Sequence, residues 1–220
     1  MIQVALADDH LLFRKSMKML IDSFEGMSLV LEASNGRELL MNLSQYEVDV
    51  VLLDVQMPEM DGKTTCQILR QNHPDIKVLI LSQLESRELI IQMMELGAHG
   101  FFTKNSEPHL IQHAIKSLDD NGFYFDQQLT NVLKGAVEWD KKNRNSISDP
   151  EKVEFSDREQ EIMLGVCREK SMLELSEEFE VSPRTIESHK QRMMNKVGAR
   201  NFIGVIVYAV KNDLIDLNEV

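Results

Sequence analysis

The chain has 220 residues, 43% of them hydrophobic, and a formal net charge of −12. That length fits two small domains better than one large one, the apolar fraction is enough for packed cores, and no apolar run reaches the ~18 residues a membrane span needs. The acidic balance excludes a general polyanion binder, and Cys66 and Cys167, far apart and without Cys or His at metal-ligand spacing, read as reduced thiols of a cytoplasmic protein. Met1 leads directly into an apolar segment with no basic n-region, so nothing there marks the chain for export.

In chain order, Ile2–Ala7 reads as a strand ending at the acidic pair Asp8-Asp9, followed by a helix with apolar Leu12, Met17, Leu20 and Ile21. Leu29–Leu31 is a second strand, and a helix carrying Leu39, Leu40 and Leu43 restarts after Asn35-Gly36. Val50–Leu53 is wholly apolar and too short for a helix, which predicts a strand covered on both faces, with Asp54 at its end and Pro58 closing regular structure soon after. A helix follows over about 63–71, then a strand Lys77–Leu81 ending at Ser82. A helix with Leu89, Ile90, Met93, Met94 and Leu96 is closed by Gly97, and a fifth strand, Gly100–Thr103, ends at Lys104. The fifth helix is expected after Ser106, with Pro108 in its first turn, and stops near Asn121-Gly122. Strands and helices alternating at this spacing predict an α/β fold with an open, five-stranded parallel doubly wound sheet.

Asp8, Asp9, Asp54, Ser82 and Lys104 then all fall at carboxyl ends of strands, which form one rim in such a sheet. Clustered carboxylates need a cation between them, and Mg²⁺ suits oxygen ligands while leaving room for a phosphate oxygen. Lys104 supplies a point charge for a phosphoryl oxygen and Ser82 a hydroxyl hydrogen bond. The implied chemistry is phosphoryl transfer to Asp54, giving an acyl phosphate. A haloacid-dehalogenase-like phosphohydrolase also places a nucleophilic Asp after an apolar strand, but it needs a second Asp two residues on. Here that position is Gln56, an amide that cannot shuttle a proton.

The acidic pair Asp8-Asp9, the run Asp54-Val55-Gln56-Met57-Pro58-Glu59-Met60-Asp61-Gly62, Leu81-Ser82 and the stretch Gly97–Lys104 make residues 1 to about 120 resemble the receiver domain of a two-component response regulator. The resemblance implies a flavodoxin-like fold, Asp54 as phosphoacceptor, and Mg²⁺ held by Asp9, Asp54 and the backbone carbonyl of Gln56, with Asp8 acting indirectly. It also implies a switch pair: the Ser82 hydroxyl turns toward the phosphoryl group and the Phe101 ring moves inward. Gln83 stands where many receivers carry a small residue, and Gln56 and Leu84 lie where receivers tune attack by water on the phosphoryl group.

The stretch 121–152 reads as a linker with a further helix over about 127–137, and the polar run 141–150 ends in Pro150. Trp139 lies beside it. From 153 to 220 the chain reads as a small all-α domain. Ser156 and Glu159 form a capping box ahead of Ile162, Met163 and Val166; Glu174–Phe179 is a short helix, Val181-Ser182-Pro183 a turn, and Arg184–Val197 a third helix. A last helix spans about Phe202–Lys211. Two helices joined by a tight turn, the second basic, make a helix-turn-helix. Within 183–200 Arg184, Lys190, Arg192, Lys196 and Arg200 face Glu187 alone, a local basic stripe in an acidic chain.

Phe155-Ser156-Asp157-Arg158-Glu159, Glu174-Leu175-Ser176, Val181–His189 and Lys196–Arg200 resemble a LuxR-type DNA-binding domain over about 153–215. Met172-Leu173 departs from the usual polar pair. The joint pattern is similar to NarL/FixJ-type response regulators. Arg184, Thr185, Lys190 and Lys196 are the phosphate candidates, and Glu187, Ser188 and Gln191 occupy the positions the family uses for base edges. Glu accepts from a cytosine amine and Gln pairs with adenine; alternatively Glu187 forms an intrahelical pair with Lys190 or Gln191. Few basic groups imply weak monomer binding. The expectation is therefore a transcriptional regulator, no enzyme beyond its own aspartyl phosphorylation and dephosphorylation, phosphorylated by a sensor histidine kinase. It would bind double-stranded DNA at promoter half-sites as a phosphorylation-dependent homodimer, away from any membrane. A DNA-binding protein whose receiver is a fixed interaction module is the competing expectation.

Overall fold

The structure, a computed structural model, describes residues 1–83, 86–127, 129–134 and 153–217. The chain divides into two units, residues 1–85 with 96–124, and residues 86–95 with 125–220. In the first unit lie β1 (Ile2–Ala7), α1 (Leu11–Asp22), β2 (Met27–Ala33), α2 (Gly36–Asn42), β3 (Val50–Asp54), α3 (Gly62–Asn72), β4 (Lys77–Ser82), β5 (Gly100–Thr103) and α5 (Leu110–Asn121); α4 (Arg87–Glu95) falls in the second.

The five strands form one parallel sheet in the order β2-β1-β3-β4-β5. β3 is buried at every residue, as its unbroken apolar run predicts for a strand covered on both faces. Val4, Leu6, Val50, Leu52, Leu79, Leu81 and Phe102 share a core with Met17 and Ile21 of α1 and Ile111, Ala114, Ile115 and Leu118 of α5. Alternate strand residues Ala5, Ala7, Val51 and Leu53 therefore face the opposite side, where α2 lies against β1 and α3 against β3. β2 runs longer than Leu29–Leu31. Its buried and half-buried residues alternate from Met27 to Ala33, the pattern of an edge strand with one covered face, so its ends lack the apolar run that marks β3.

α5 begins at Leu110 rather than just after Ser106. Ser106 N–H donates to Thr103 O and Leu110 N–H to Glu107 O, so two turns consume the segment, and the N-cap His109 makes no side-chain cap. Gly122 closes α5 in the left-handed region at φ 79°. Phe123, Tyr124 and Phe125 just beyond are all buried, and Tyr124 N–H donates to His99 O at 2.8 Å.

His99 is itself buried, its Nδ1 accepting from Val78 N–H at 3.0 Å. Burial, with the nearby Arg70 and Lys77 charges, holds its pKa well below 6.5. A lowered folded-state pKa means that His99 contributes stability above about pH 6.5, lost as pH falls below that value, by at most about 1.4 kcal/mol per pH unit. His99→Asn keeps an acceptor for Val78 but cannot titrate. Its urea midpoint is expected to fall less between pH 7.5 and 5.5 than that of the wild type, and an equal fall would contradict this role.

In the second unit the helical residues 129–134 include buried Leu129 and Leu133, and Thr130 Oγ1 donates to Cys167 O at 3.5 Å. The rest of the helix expected over 127–137, Trp139, the run 141–150 and Leu84 lie outside the described residues. Four helices follow: α6 (Asp157–Cys167), α7 (Met172–Glu178), α8 (Pro183–Val197) and α9 (Phe202–Lys211). The Ser156–Glu159 capping box is present. A second box, Ser171 with Glu174, starts α7 two residues before the expected Glu174, and between them Met172 and the exposed Leu173 break the apolar pattern. Ser182 caps α8, with Pro183 in its first turn, and Gly198 at φ 68° ends it. The turn between α7 and α8 is tightened by Val181 N–H donating to Ser176 O at 2.9 Å, with Glu180 at φ 53°. Among the described residues no helix is long and apolar enough to cross a membrane.

Candidate functional site

Strand register assembles the first site. Leu53 pairs with Ala7, Asp54 with Leu81 and Ser82 with Thr103, so Asp8, Asp54, Ser82 and Lys104 emerge at one edge of the sheet. Asp8 is 0% exposed; its Oδ1 accepts from His10 N–H at 2.8 Å, and its carbonyl accepts from Arg14 at 2.6 Å. Lys104 Nζ donates to Asp54 Oδ2 at 2.7 Å and lies 2.5 Å from Asp8 Oδ2. The latter is an ion pair without hydrogen-bond geometry, which leaves Asp8 Oδ2 a buried oxygen with no hydrogen-bond partner. Lys104 is nearly buried too, with its ammonium 4.9 Å from the centroid of the Phe13 ring.

Burial raises the Asp54 pKa, with the Asp8 charge adding to it and the Lys104 hydrogen bond and charge opposing. Two buried carboxylates share one ammonium, so the pocket is short of positive charge. The ligand atoms of Asp8, Asp9, His10 and Asp54 all lie within 4.8 Å of one another. Three carboxylates converging on one point fit a hard divalent cation such as Mg²⁺. Asp9 is exposed, its Oδ1 2.8 Å from His10 Nδ1, and Gln56 N–H donates weakly to Asp54 Oδ1 at 3.4 Å. Ser82 is buried at the end of β4, and its carbonyl accepts from Lys104 N–H. The Phe101 ring, expected to move inward, is only 1% exposed.

Sequence reasoning missed His10, Phe13 and Arg14 as parts of this pocket, and their nearness to Asp8-Asp9 is the only signal that points to them. It also missed what Gly62 does. Gly62 N–H donates to Val55 O at 2.9 Å, and a Cβ there would strike Asp54 O and lie 2.8 Å from Val55 Cα. The glycine lets the loop return against the backbone of the acceptor residue.

The second site is α8. Arg184, Glu187, Ser188 and Gln191 are exposed on one row, at spacings of three, four and seven residues. Ser188 Oγ donates to Arg184 O and Gln191 Nε2 to Asn195 Oδ1 at 3.1 Å. Thr185, half-buried, shares a 2.9 Å hydroxyl contact with the cap Ser182. Two of the expected phosphate contacts already have partners within the domain. Lys190 is 6% exposed, because it follows Ile186 by four residues and precedes Met193 by three on the inward stripe, and its ammonium is held by Glu187 at 2.8 Å. Lys196 donates to Glu159 Oε2 at 2.7 Å and to Glu154 O at 3.2 Å, tying it to the start of α6. That ammonium contributes to holding the Glu159 pKa down against its burial.

A family model of the response regulator receiver domain matches residues 4–116, and one of bacterial regulatory proteins of the luxR family matches residues 153–209. The chain belongs to the response regulators. It joins a receiver domain to a luxR-type DNA-binding domain. Oxygen regulatory protein NreC of Staphylococcus aureus (strain MRSA252) is 29% identical over 216 residues, which cover 97% of this regulator and 99% of that protein. Among solved structures, the RcsB response regulator of Salmonella typhimurium aligns over 94% of this chain and 98% of its own with a TM-score of 0.58 and 20% identity, a likeness of fold. The response regulator ChrA, of a heme-sensing two-component system, aligns over 97% and 98% at 28% identity with a TM-score of 0.50.

Proposed function

We propose that the regulator is switched by phosphorylation of Asp54 and answers by binding DNA as a dimer. The observation that carries this is the Lys104 ammonium set between two buried carboxylates, 2.7 Å from Asp54 and 2.5 Å from Asp8. An Asp54 oxygen attacks the phosphorus of a phosphohistidine on a sensor histidine kinase, the N–P bond breaks, and the imidazole nitrogen leaves with the electron pair. The product is an aspartyl phosphate. Mg²⁺, held by Asp9, Asp54 and the Gln56 carbonyl with Asp8 indirectly, supplies positive charge to the phosphoryl oxygens when bound. Lys104 passes from Asp54 Oδ2 to a phosphoryl oxygen, and the Ser82 hydroxyl hydrogen-bonds another. As the Ser82 hydroxyl turns, the Phe101 ring moves inward as its switch partner. The pocket does no chemistry on other substrates, only the phosphorylation and dephosphorylation of its own aspartate, in a cytoplasmic protein.

The added charge of about −1.5 to −2 favours the state in which Ser82 and Lys104 are drawn to it, and that state dimerises. Two copies of α8 then read two promoter half-sites, with Arg184 and Thr185 on phosphates and Glu187, Ser188 and Gln191 at base edges. Lys196, exposed although paired with Glu159, stays a phosphate candidate, whereas Lys190 is buried, so few cations meet phosphates and the salt dependence of binding is shallow. Sedimentation of the wild type and Asp54→Ala, each with and without beryllofluoride and Mg²⁺, tests the switch. A monomer-to-dimer shift confined to the wild type is expected. No shift in either protein would sink the dimerisation switch and leave either release of the reading helix without dimerisation or a receiver that acts as a fixed module.

A further inference from the structure

The exposed row of α8 includes one acidic residue, Glu187, and a lysine from the buried stripe of the same helix holds it. Lys190 lies on the inward stripe with Ile186 and Met193 yet ends in an ammonium, 2.8 Å from Glu187 Oε2 and 5.9 Å from the centroid of the Phe202 ring. A buried ammonium is costly without a partner, so this pair is not the loose exposed pair usual at a spacing of three. One end is fixed by packing. The other, Glu187, has a side chain 60% exposed, and its Oε1 makes no hydrogen bond among the described residues.

We propose that Lys190 is a positioning residue for base recognition: it fixes the Glu187 carboxylate so that Oε1 accepts from a cytosine amine in the major groove. This rests on α8 being the reading helix. Three features argue for it. A carboxylate free to swing beside phosphates would be repelled, whereas one neutralised from below by an ammonium enters the groove without that cost. Its acceptor is set before DNA arrives, which lowers the entropy lost on contact. Its neighbours Ser188 and Gln191 are tied within the helix, to Arg184 O and Asn195, so Glu187 offers the row a carboxylate acceptor that is already placed. The contrasting role is purely structural, with Lys190 packing against Phe202 and contributing nothing to sequence choice.

The test uses the full chain with beryllofluoride and Mg²⁺, selected against duplexes randomised across the half-site. The wild type should prefer cytosine at one position by roughly 5- to 10-fold. Lys190→Met, which keeps the buried stem, should lose that preference at that position alone, with the others unchanged. Lys190→Leu is carried alongside in case the methionine variant does not fold. Lys190→Arg should keep the preference, Glu187→Gln should move it toward adenine, and the double variant Glu187→Gln with Lys190→Met should resemble Glu187→Gln alone. The inference is overturned if Lys190→Met and Lys190→Leu keep the cytosine preference, or weaken binding to every sequence alike. Failure of the underlying reading looks different: the wild type would then show no sequence preference, or Arg184→Ala would leave binding untouched.

Discussion

Replacing Lys104 with alanine is expected to destabilise the first unit by ~3–5 kcal/mol at pH 7, the range for removing one partner of a buried ion pair. Asp8 and Asp54 are 0% and 5% exposed, and Lys104 is the ammonium between them. Without it two carboxylates face each other in a site that water hardly reaches, and one must take up a proton. The sign with pH follows. Burial already raises the Asp54 pKa, so the protonated form is favoured in the folded state, and its contribution is present at low pH and lost as pH rises through the folded-state pKa. The penalty of Lys104→Ala should therefore shrink as pH is lowered. Asp54→Asn removes the charge whose burial is unfavourable and leaves Asp8 paired with Lys104, so alone it should stabilise by about 1 kcal/mol. Combined with Lys104→Ala it should recover a large part of the loss. Urea unfolding of the four proteins at pH 7 and pH 5 checks this, and a Lys104→Ala cost that is small or independent of pH would contradict it.

Gly62→Ala is the second large expectation, at ~2–4 kcal/mol. The added methyl would meet Asp54 O and Val55 Cα, which are backbone atoms of the segment that carries the acceptor. They cannot rotate away as a side chain would. The same position forms the Gly62 N–H to Val55 O bond, and Asp61 caps α3 by accepting from Thr64 N–H at 2.8 Å. Relief of the clash must therefore move either Asp54 or the start of α3. A loss of stability should come with weaker binding of beryllofluoride, measured on folded protein. A variant that lost stability but bound the mimic as tightly as the wild type would show that α3 yields and the pocket does not.

The sheet and the pocket were legible in the chain because β3 buries all its side chains and therefore reads as an unbroken apolar run. Once that strand is placed at the centre, the polar residues ending β1, β4 and β5 have only one rim to share. The start of α5 was not legible, since Ser106 and Pro108 satisfy the usual rules for a helix start and only the hydrogen bonds reveal two turns instead. α7 hid its first turn behind an exposed Leu173, which breaks the expected periodicity. On α8 charge alone marks Lys190 and Lys196 as phosphate candidates and says nothing of their partners within the domain. The spacing Ile186, Lys190, Met193 and Val197 already put Lys190 on the buried stripe, and a long aliphatic stem makes such a placement tolerable. The tie between Lys196 and Glu159 joins residues 37 apart and carries no local signature.

The most direct test of the central claim is the intact mass of the regulator after reaction with a small-molecule phosphodonor and Mg²⁺, beside Asp54→Asn and a chelated control. One added phosphoryl group is expected on the wild type, none on Asp54→Asn, and none when the divalent cation is removed. A phosphoryl group on Asp54→Asn equal to that on the wild type, or a wild type that takes none although its pocket binds Mg²⁺, would contradict it.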